Sequence, residues 1–345
     1  MRVVQIVSGE PQAGLAAAEA AALGRVFSTW GWESVVYVTD PEEPAGPPDI
    51  AAEDLLIYHY HNLAPVEDLL EHPRGRTVAV LHQLAQPLLL QICEPLTPRL
   101  QQAWEQLRIL AGGCELAIGH SGAACRWLER LGFGRVRRLP FLLDEKLLGA
   151  RPDPVTLKLL EGGAPLLLFA GDIIDSANLT DLIKTVCYCR NFGEKGTRLA
   201  IAGAVDLCPA YFAWQRDLVA DLELDEAVTF LGAVDAPQLR ACIEAADIYI
   251  QFSGADWTGA GLLAAVRAGV PAIAFAEAAA TEVLGDAGIL LSTTIHSAAA
   301  EEISRLAGDP EWRQRVLARQ ERRAAAYGAE TVAFQLRTLL RRFED

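Results

Sequence analysis

The stretch Ile248–Ala274, with the sequence IYIQFSGADWTGAGLLAAVRAGVPAIA, decides the fold. Its β-branched and aromatic beginning, Ile248–Phe252, predicts a buried strand. A Ser-Gly-Ala-Asp break follows, and the small residues of Thr258–Ala268 favour a helix. Gly269–Pro271 ends that helix, and Ala272–Phe275 is typical of a second strand. A strand, a loop, a helix and another strand in this order predict a parallel α/β unit.

The composition of the chain limits its partners and its location. With 345 residues, 51% of them hydrophobic, it can form two domains with full cores. A net charge of −15 argues against nucleic acid or an anionic membrane surface as the main partner. There is no run of eighteen apolar residues and no signal-peptide pattern. The seven cysteines lack zinc-site spacing, and we expect them to be reduced in a cytoplasmic protein.

Strand and helix patterns alternate in both halves of the chain. This alternation predicts two doubly wound, Rossmann-like α/β domains that face each other across a cleft. The Gly- and Pro-rich stretch Leu147–Gly163 is the best boundary. We therefore expect domains at 1–150 and 151–310, and a helical segment at 311–345 that packs back towards the first domain. Val136–Leu143 is predicted to be the last strand of the first half.

Several motifs of the second half resemble GT-B glycosyltransferases of the family 4 type. The opening stretch resembles their donor-site pattern S-x-x-E-G-F-G-x-x-x-x-E-A-x-A-x-G-x-P-V-I-A. Five further segments match family motifs in the correct order: Leu166–Gly171, Leu199–Gly203, Val228–Val234, Ala245–Asp247 and Glu282–Gly288. Each motif alone is weakly specific, but together they cover Leu166 to about Leu291 well. The first half resembles the family more loosely.

The resemblance implies a fold and an activity. The fold is GT-B, and the activity is transfer of a sugar from a nucleotide-sugar co-substrate, UDP- or GDP-linked, to a glycan, lipid or small-molecule acceptor. Retention of configuration is implied, and neither a cofactor nor a metal is. The catalytic candidates are His82 and Asp256. The implied donor-binding residues are Gly171, Asp172, Gly232, Ala233, Val234, Thr258, Gly259, Ala260 and Gly261, and the implied acceptor-side loop contains Gly9, Glu10 and Gly14.

Three positions depart from the family pattern. Asp172 and Ala177 stand where family members carry an Arg and a Lys that hold the donor diphosphate, and Ala264 replaces a Glu that binds ribose hydroxyls. Cations stabilise the charge that develops on a leaving diphosphate, whereas an aspartate at that place repels it. The small residues of Thr258–Gly261 can still offer backbone N–H groups at a helix N-terminus to a phosphate.

The candidate residues have alternative interpretations. Asp256 either faces the donor sugar or simply caps the helix that follows it, and the two roles are compatible. Asp172 is either a solvated loop acid or the mark of a site rebuilt for another ligand. His82, at the end of a predicted strand, either lines the cleft or is an ordinary loop histidine.

Two other groups suggest chemistry in the first half. His59 and His61 share one face of a predicted strand and could form a metal pair, but no third ligand is obvious. His120 and Ser121 resemble a hydrolase pair, but adjacent strand residues point apart and no G-x-S-x-G motif is present.

Three hypotheses of function remain. The first is a glycosyltransferase in which His82 and Asp256 line the donor sugar. The second is a catalytically impaired protein with this fold, which acts as a binding or scaffold subunit. The third is an enzyme with an unusual donor, such as a sugar phosphate or a lipid-linked sugar. Fold analogy alone does not choose among them.

Overall fold

The computed structural model describes residues 1–8, 14–39, 49–61, 76–84, 97–254, 256–293 and 295–344. The chain divides into two compact units. The first unit runs to Asp144 and is completed by the C-terminal residues from Tyr327, and the second unit contains Glu145–Ala326. From the sequence we placed the boundaries at 150 and 310. The second boundary lies later because the helix that begins at Pro310 packs on the second unit, so only the last part of the chain joins the first.

The first unit is built on a parallel sheet of six strands with the order β2-β1-β3-β4-β5-β6. In chain order, β1 to β6 are Arg2–Ser8, Glu33–Thr39, Leu55–His61, Arg76–Gln83, Leu116–Gly119 and Val136–Arg138. Helices α1 to α3 are Leu15–Thr29, Thr97–Ala111 and Gly122–Arg130. The order of the strands reverses between β1 and β3, where ligands of such sheets bind.

The second unit repeats this construction with the strand order β12-β11-β10-β7-β8-β9. Strands β7 to β12 are Leu166–Ala170, Arg198–Ala202, Val228–Gly232, Ile248–Gln251, Ala272–Phe275 and Ile289–Leu291. Helices α4 to α12 are Glu145–Leu148, Pro154–Leu160, Leu179–Phe192, Pro209–Asp221, Ala236–Ala245, Ala260–Arg267, Ala278–Leu284, His296–Gly308 and Pro310–Ala324. Here the order reverses between β7 and β10. Two doubly wound sheets confirm the expected fold class.

The segment after β12 and the end of β6 differ from expectation. The C-terminal helical stretch is interrupted at Gly328, and α13 covers Ala329–Leu340 in the first unit. Strand β6 ends at Arg138, although the pattern predicted a strand to Leu143. Leu139 N still donates to Gly119 O of β5 at 3.1 Å, but Pro140 has no N–H to donate to a neighbouring strand. Leu139 O and Leu142 N bond to the side chains of His120 and Glu19.

Each sheet is buried by apolar side chains of its own unit. In the first unit one core cluster joins strand residues such as Val3 and Val78 to Phe27 of α1 and to Leu336 of α13. This contact explains why the C-terminal helix belongs to the first unit. Among the described residues, no helix is both long enough and apolar enough to cross a membrane.

The redox state of one cysteine differs from the prediction. Cys208 is disulfide-bonded, so the prediction that all seven cysteines are reduced is wrong. Free thiols are found at Cys114, Cys125, Cys187, Cys189 and Cys242. Sequence spacing does not reveal which thiols meet in space. The cysteines therefore no longer argue for a reducing compartment.

A substitution at Gly203 tests how tightly the strand ends of the second unit pack. A Cβ atom at Gly203 would lie 2.1 Å from the carbonyl oxygen of Gly171. Because that oxygen belongs to the backbone, we expect Gly203→Ala to lower the stability of the second unit by at least about 2 kcal/mol. Differential scanning calorimetry measures this loss. Gly163→Ala is the control, since no atom lies within 4 Å of its added methyl group, and equal effects of both substitutions would contradict the packing.

Candidate functional site

The carboxyl ends of β7, β8 and β9 form one connected edge of the second sheet. Gly171 N–H donates to Ala202 O at 3.0 Å, and Gly203 N–H donates to Gly232 O at 2.9 Å. Gly232 has a φ of +71°, which is why a glycine suits this turn. The structure therefore brings together the two glycines predicted for the donor site, Gly171 and Gly232. Ala233 beside them is exposed, and Val234 is half-buried.

The point where the strand order reverses lies between β7 and β10, and side chains tie the two strand ends together. The Tyr249 hydroxyl group donates to Ala170 O at 3.1 Å and is 3.3 Å from Gln251 Oε1. Ser253 Oγ donates to Ser176 O at 3.1 Å, so the loop after β10 is fixed to the loop after β7. A Cβ atom at Gly261 would lie 2.0 Å from the Tyr249 hydroxyl oxygen. Gly261 is therefore required for the helix to approach this edge.

Both oxygens of the half-buried Asp256 carboxylate accept hydrogen bonds from neighbouring groups of the protein. Its Oδ1 accepts hydrogen bonds from Thr258 N, Thr258 Oγ1 and Gly259 N at 2.9, 2.9 and 3.0 Å. Its Oδ2 accepts from Gln251 Nε2 at 2.7 Å. The carboxylate thus orders the turn before α9. It does not cap the helix in the predicted way, because the helix begins at Ala260 with Gly259 as its N-cap and without a side-chain cap. It also lies beside Tyr249, whose pKa is raised first by burial and then by this negative charge.

Several backbone N–H groups at the start of α9 already have acceptors. Thr258 N and Gly259 N donate to Asp256, and Ala260 N donates to Thr258 Oγ1 at 3.2 Å. Gly259 has a φ of +67°. Of the four residues that we expected to present amides to a phosphate, Gly261 has no such capping bond described. A phosphate at this helix would therefore meet fewer available donors than the sequence suggests.

The departures from the family pattern have different surroundings. Ala177 is 4% exposed and Ala264 is 5% exposed, so both positions hold small side chains packed in the core. Burying an unpaired charge there would be costly. Asp172 is only half-buried and directly follows the exposed Gly171. Asp172 is therefore the position at which a charged side chain can reach a ligand at this edge.

In the first unit, His82 is fully buried in a polar cluster. His82 Nε2 is 2.9 Å from His59 Nδ1, and His82 Nδ1 is 3.5 Å from Glu19 Oε2. Burial lowers the pKa of His59 to about 3, and burial together with His120 and His59 lowers that of His82 well below its usual value. Both rings are therefore neutral at neutral pH. His82 and Asp256, our two catalytic candidates, belong to different units.

The remaining candidates in the first unit are placed as follows. Gly14 is exposed and precedes α1, where its carbonyl oxygen accepts from Ala17 N at 3.0 Å. Gly9 and Glu10 lie outside the described residues. Ser121 caps α3 by accepting from Ala124 N at 3.3 Å, and His120 contacts Glu19 at 3.1 Å instead of pairing with Ser121. The Ser-His pair is thus two separate structural contacts.

Sequence reasoning missed Glu19, Gln5 and the pairing of His59 with His82. A lone acidic residue on the apolar face of the Ala-rich helix α1 was the signal available for Glu19. Polar residues at three neighbouring strand ends were the signal for the histidines. Neither pattern shows which nitrogen meets which partner.

Comparison with known proteins supports the fold and a family match. The structure is similar to sucrose-phosphate synthase from Thermosynechococcus elongatus, with a TM-score of 0.74 and 18% identity over 99% of both chains. It is also similar to Anabaena HepE solved with UDP-glucose, with a TM-score of 0.71 and 16% identity over 98% of both chains. The fold is therefore that of GT-B glycosyltransferases, and the predicted resemblance is confirmed.

The family match falls within the second unit. Residues 158–323, just under half of the chain, match the model described as glycosyl transferases group 1. A curated relative, the D-inositol 3-phosphate glycosyltransferase of Pseudarthrobacter chlorophenolicus, is 30% identical over 208 residues. This alignment covers 57% of the present chain and 48% of the relative. The chain thus spans about half the length of that curated relative.

Two substitutions separate the structural role of Asp256 from a role in binding. Asp256→Ala removes all four accepted hydrogen bonds, and we expect it to lower the stability by about 1–2 kcal/mol. Asp256→Asn keeps Oδ1 and its three donors, so we expect a smaller loss. Calorimetric unfolding compares them. Equal losses would show that the Oδ1 bonds do not form in solution.

Proposed function

We propose that the protein is a glycosyltransferase that transfers a sugar from a nucleotide-sugar donor bound at the edge formed by the carboxyl ends of β7 to β10. The main support is the coincidence of two independent observations. The match to glycosyl transferases group 1 covers residues 158–323, and this stretch contains the point where the strand order of the second sheet reverses. Doubly wound sheets bind their ligands at that point.

In this proposal the donor is bound mainly by neutral backbone groups and not by a pair of positively charged side chains. Gly171 and Gly232 would let the backbone approach a ligand closely, and the base would lie along Gly232–Val234. A uridine nucleotide is the donor we favour, because the similar Anabaena HepE was solved with UDP-glucose. We further propose that transfer retains configuration and needs no metal at the donor site. The acceptor would be met by the loop that ends at Gly14, and the cytoplasm is the proposed location.

Asp256 and His82 receive different roles in this proposal. Asp256 would order the turn before α9 and present its negative charge towards the donor sugar. His82 is 0% exposed, so a direct contact with the sugar would require its ring to leave the buried cluster. We therefore assign the contact with the donor to the edge of the second unit and not to His82.

The alternative is a protein of this fold that binds a ligand or partner without transferring a sugar. It is favoured by the chemistry of three positions: Asp172 would repel a diphosphate, and Ala177 and Ala264 are buried in the core. Loss of one transition-state charge donor commonly lowers a rate about 100–1,000-fold. The same binding experiment separates this alternative from the leading proposal.

The test is calorimetric titration with UDP, GDP, ADP and their common sugar conjugates. The proposal expects saturable binding with a preference for one base. Folded protein that gives no binding with any of these nucleotides would contradict it and favour the non-catalytic alternative. Binding without turnover in an acceptor screen would also favour that alternative.

The variant Asp172→Arg tests whether the diphosphate of the donor lies beside residue 172. Replacing a repulsive charge by an attractive one is worth about 1 kcal/mol or more near the surface, so we expect about a five- to tenfold lower Kd for the nucleoside diphosphate. Asp217→Arg is the matched control, because it makes the same change of net charge on the exposed face of Pro209–Asp221. Equal effects of both variants would mean that only the overall charge matters and that the diphosphate does not lie at Asp172.

A further inference from the structure

Four buried polar side chains form a continuous line through the core of the first unit. They are Gln5 of β1, His59 of β3, His82 of β4 and Glu19 of α1, and each of them is at most 1% exposed. Buried polar groups need partners, because each unpaired one costs free energy. The contacts along the line therefore decide how many protons it needs.

The Gln5 side chain determines which nitrogen of His59 carries the proton. Gln5 Nε2 donates to Ala20 O at 2.8 Å and to Ser34 Oγ at 3.0 Å, so its oxygen, Oε1, is the atom that faces His59 Nε2 at 3.1 Å. Because an amide oxygen only accepts, His59 Nε2 carries the proton. Burial lowers the pKa of His59 to about 3, so the ring is neutral and its Nδ1 atom keeps a lone pair.

His82 has an acceptor on each side. Its Nε2 atom is 2.9 Å from His59 Nδ1, and its Nδ1 atom is 3.5 Å from Glu19 Oε2. Burial and the neighbouring histidines lower the pKa of His82 well below its usual value, so this ring is also neutral and has a single N–H group. Whichever nitrogen carries that proton, the other nitrogen directs its lone pair at a second electron-rich atom.

The Glu19 end of the line shows where a positive charge is missing. Glu19 Oε1 accepts from Leu142 N at 2.7 Å, and this bond holds the carboxylate in place. Glu19 Oε2 and His82 Nδ1 are both buried and form no hydrogen bond within the part of the chain that the structure describes. His120 Nε2 also lies 3.1 Å from Glu19 Oε2, but this contact brings no proton to His82 Nδ1. The line from Gln5 to Glu19 therefore needs one further positive charge.

We propose that Glu19, His59 and His82 bind one divalent transition-metal ion, and zinc is the ion that we test. One potential ligand atom of each residue lies within 4.8 Å of those of the other two. Two histidines and one carboxylate form a ligand set that zinc accepts. The ion supplies the missing positive charge. All three ligands belong to the first unit, so the site is independent of the donor edge proposed for the second unit.

The tautomers indicate which nitrogen atoms bind the ion. His59 offers the lone pair of Nδ1, while its Nε2–H group stays on Gln5 Oε1, as metal-bound histidines usually donate their second nitrogen to an oxygen. His82 offers Nε2 when its proton moves to Nδ1, which faces Glu19. Two ligands at about 2.0–2.1 Å from a tetrahedral zinc ion are about 3.3–3.4 Å apart. The two nitrogen atoms, which are 2.9 Å apart, would therefore separate by about 0.4–0.5 Å.

The metal content of the full chain, produced without an affinity tag in zinc-supplemented medium, tests the proposal first. We expect one equivalent of zinc per chain by elemental mass spectrometry, because an ion held by buried ligands should remain bound through dialysis. Protein unfolded in chelator is then refolded without metal, with Zn²⁺, or with Co²⁺, whose visible absorption reports bound nitrogen and oxygen ligands. We expect Zn²⁺ to raise the Tm by at least about 5 °C. Wild-type protein without stoichiometric metal would overturn the proposal and assign the missing charge to a proton.

Glu19→Gln is the informative variant, because its side chain can complete the line without a metal ion. Its amide oxygen can accept from Leu142 N, and its amide nitrogen can donate to the lone pair of His82 Nδ1. We expect its metal-free Tm to equal or exceed that of metal-free wild type. We expect its affinity for Zn²⁺ to fall by at least about 100-fold, which is more than the loss of an outer-shell partner usually causes.

His59→Gln tests whether His59 is a ligand or only supports His82. The new amide nitrogen can donate to Gln5 Oε1 and the new amide oxygen can accept from His82 Nε2, but the side chain offers zinc no nitrogen lone pair. We expect a loss of zinc affinity of at least about 100-fold, as for Glu19→Gln. Wild-type zinc content in this variant would remove His59 from the ligand set and overturn the proposal.

His296→Ala is the matched control. His296 Nε2 forms a pair with Asp181 Oδ1 at 3.2 Å in the second unit, where both side chains are partly exposed. This variant removes a histidine–carboxylate pair of the same chemistry from the surface, so we expect wild-type metal content. Loss of zinc in His296→Ala, or its retention in Glu19→Gln, would place the metal elsewhere and refute the proposal. If neither ligand variant folds, the zinc content of the wild-type protein still decides.

Discussion

Both halves of this protein depend on the geometry of parallel strand pairing. Each strand must return to the same side of its sheet through a crossover connection, so all strands of a sheet point the same way. Their carboxyl ends therefore collect at one edge, where loops and helix starts must satisfy the backbone groups that the sheet leaves unpaired. In the second unit this edge joins Gly171, Gly203 and Gly232 by backbone hydrogen bonds. In the first unit the same constraint brings His59, His82 and His120 from neighbouring strands to one place.

The edge of the second unit is ordered mainly by its own polar groups. Tyr249, Gln251 and Asp256 form a connected set that holds the turn before α9 and the end of β7. The Asp256 carboxylate accepts its four hydrogen bonds from this turn and from Gln251. Its contribution to a ligand would therefore be electrostatic. With Ala177 and Ala264 buried, this edge offers a ligand close backbone contact and little positive charge. The fold alone is compatible with both an enzyme and a binding protein.

The first unit places polar groups where a core is usually apolar. Gln5, Glu19 and three histidines are almost fully buried, and each has its orientation fixed by a neighbour or by the segment 139–142. After Arg138 the chain leaves the sheet gradually: Leu139 N still donates to Gly119 O of β5, whereas Leu139 O bonds to His120 and Leu142 N donates to Glu19. Low polarity around such groups strengthens good contacts and penalises missing ones.

The sequence by itself determined the alternation of strands and helices, and with it the fold class and the resemblance of the second half. These features depend on local periodicity and on the positions of glycine and proline, and both can be recognised within short segments of the chain. It also singled out Asp256 near the start of α9, since the turn that its carboxylate orders is adjacent to it in the chain. Only the tertiary structure decided that Ala177 and Ala264 are buried, that α13 completes the first unit, that Cys208 is disulfide-bonded, and that Glu19 meets His82 and His120. Such contacts join residues from about sixty to more than three hundred positions apart, for example Glu19 with His82 and Val3 with Leu336. No local pattern specifies them, because distance in space depends on how the whole sheet is ordered.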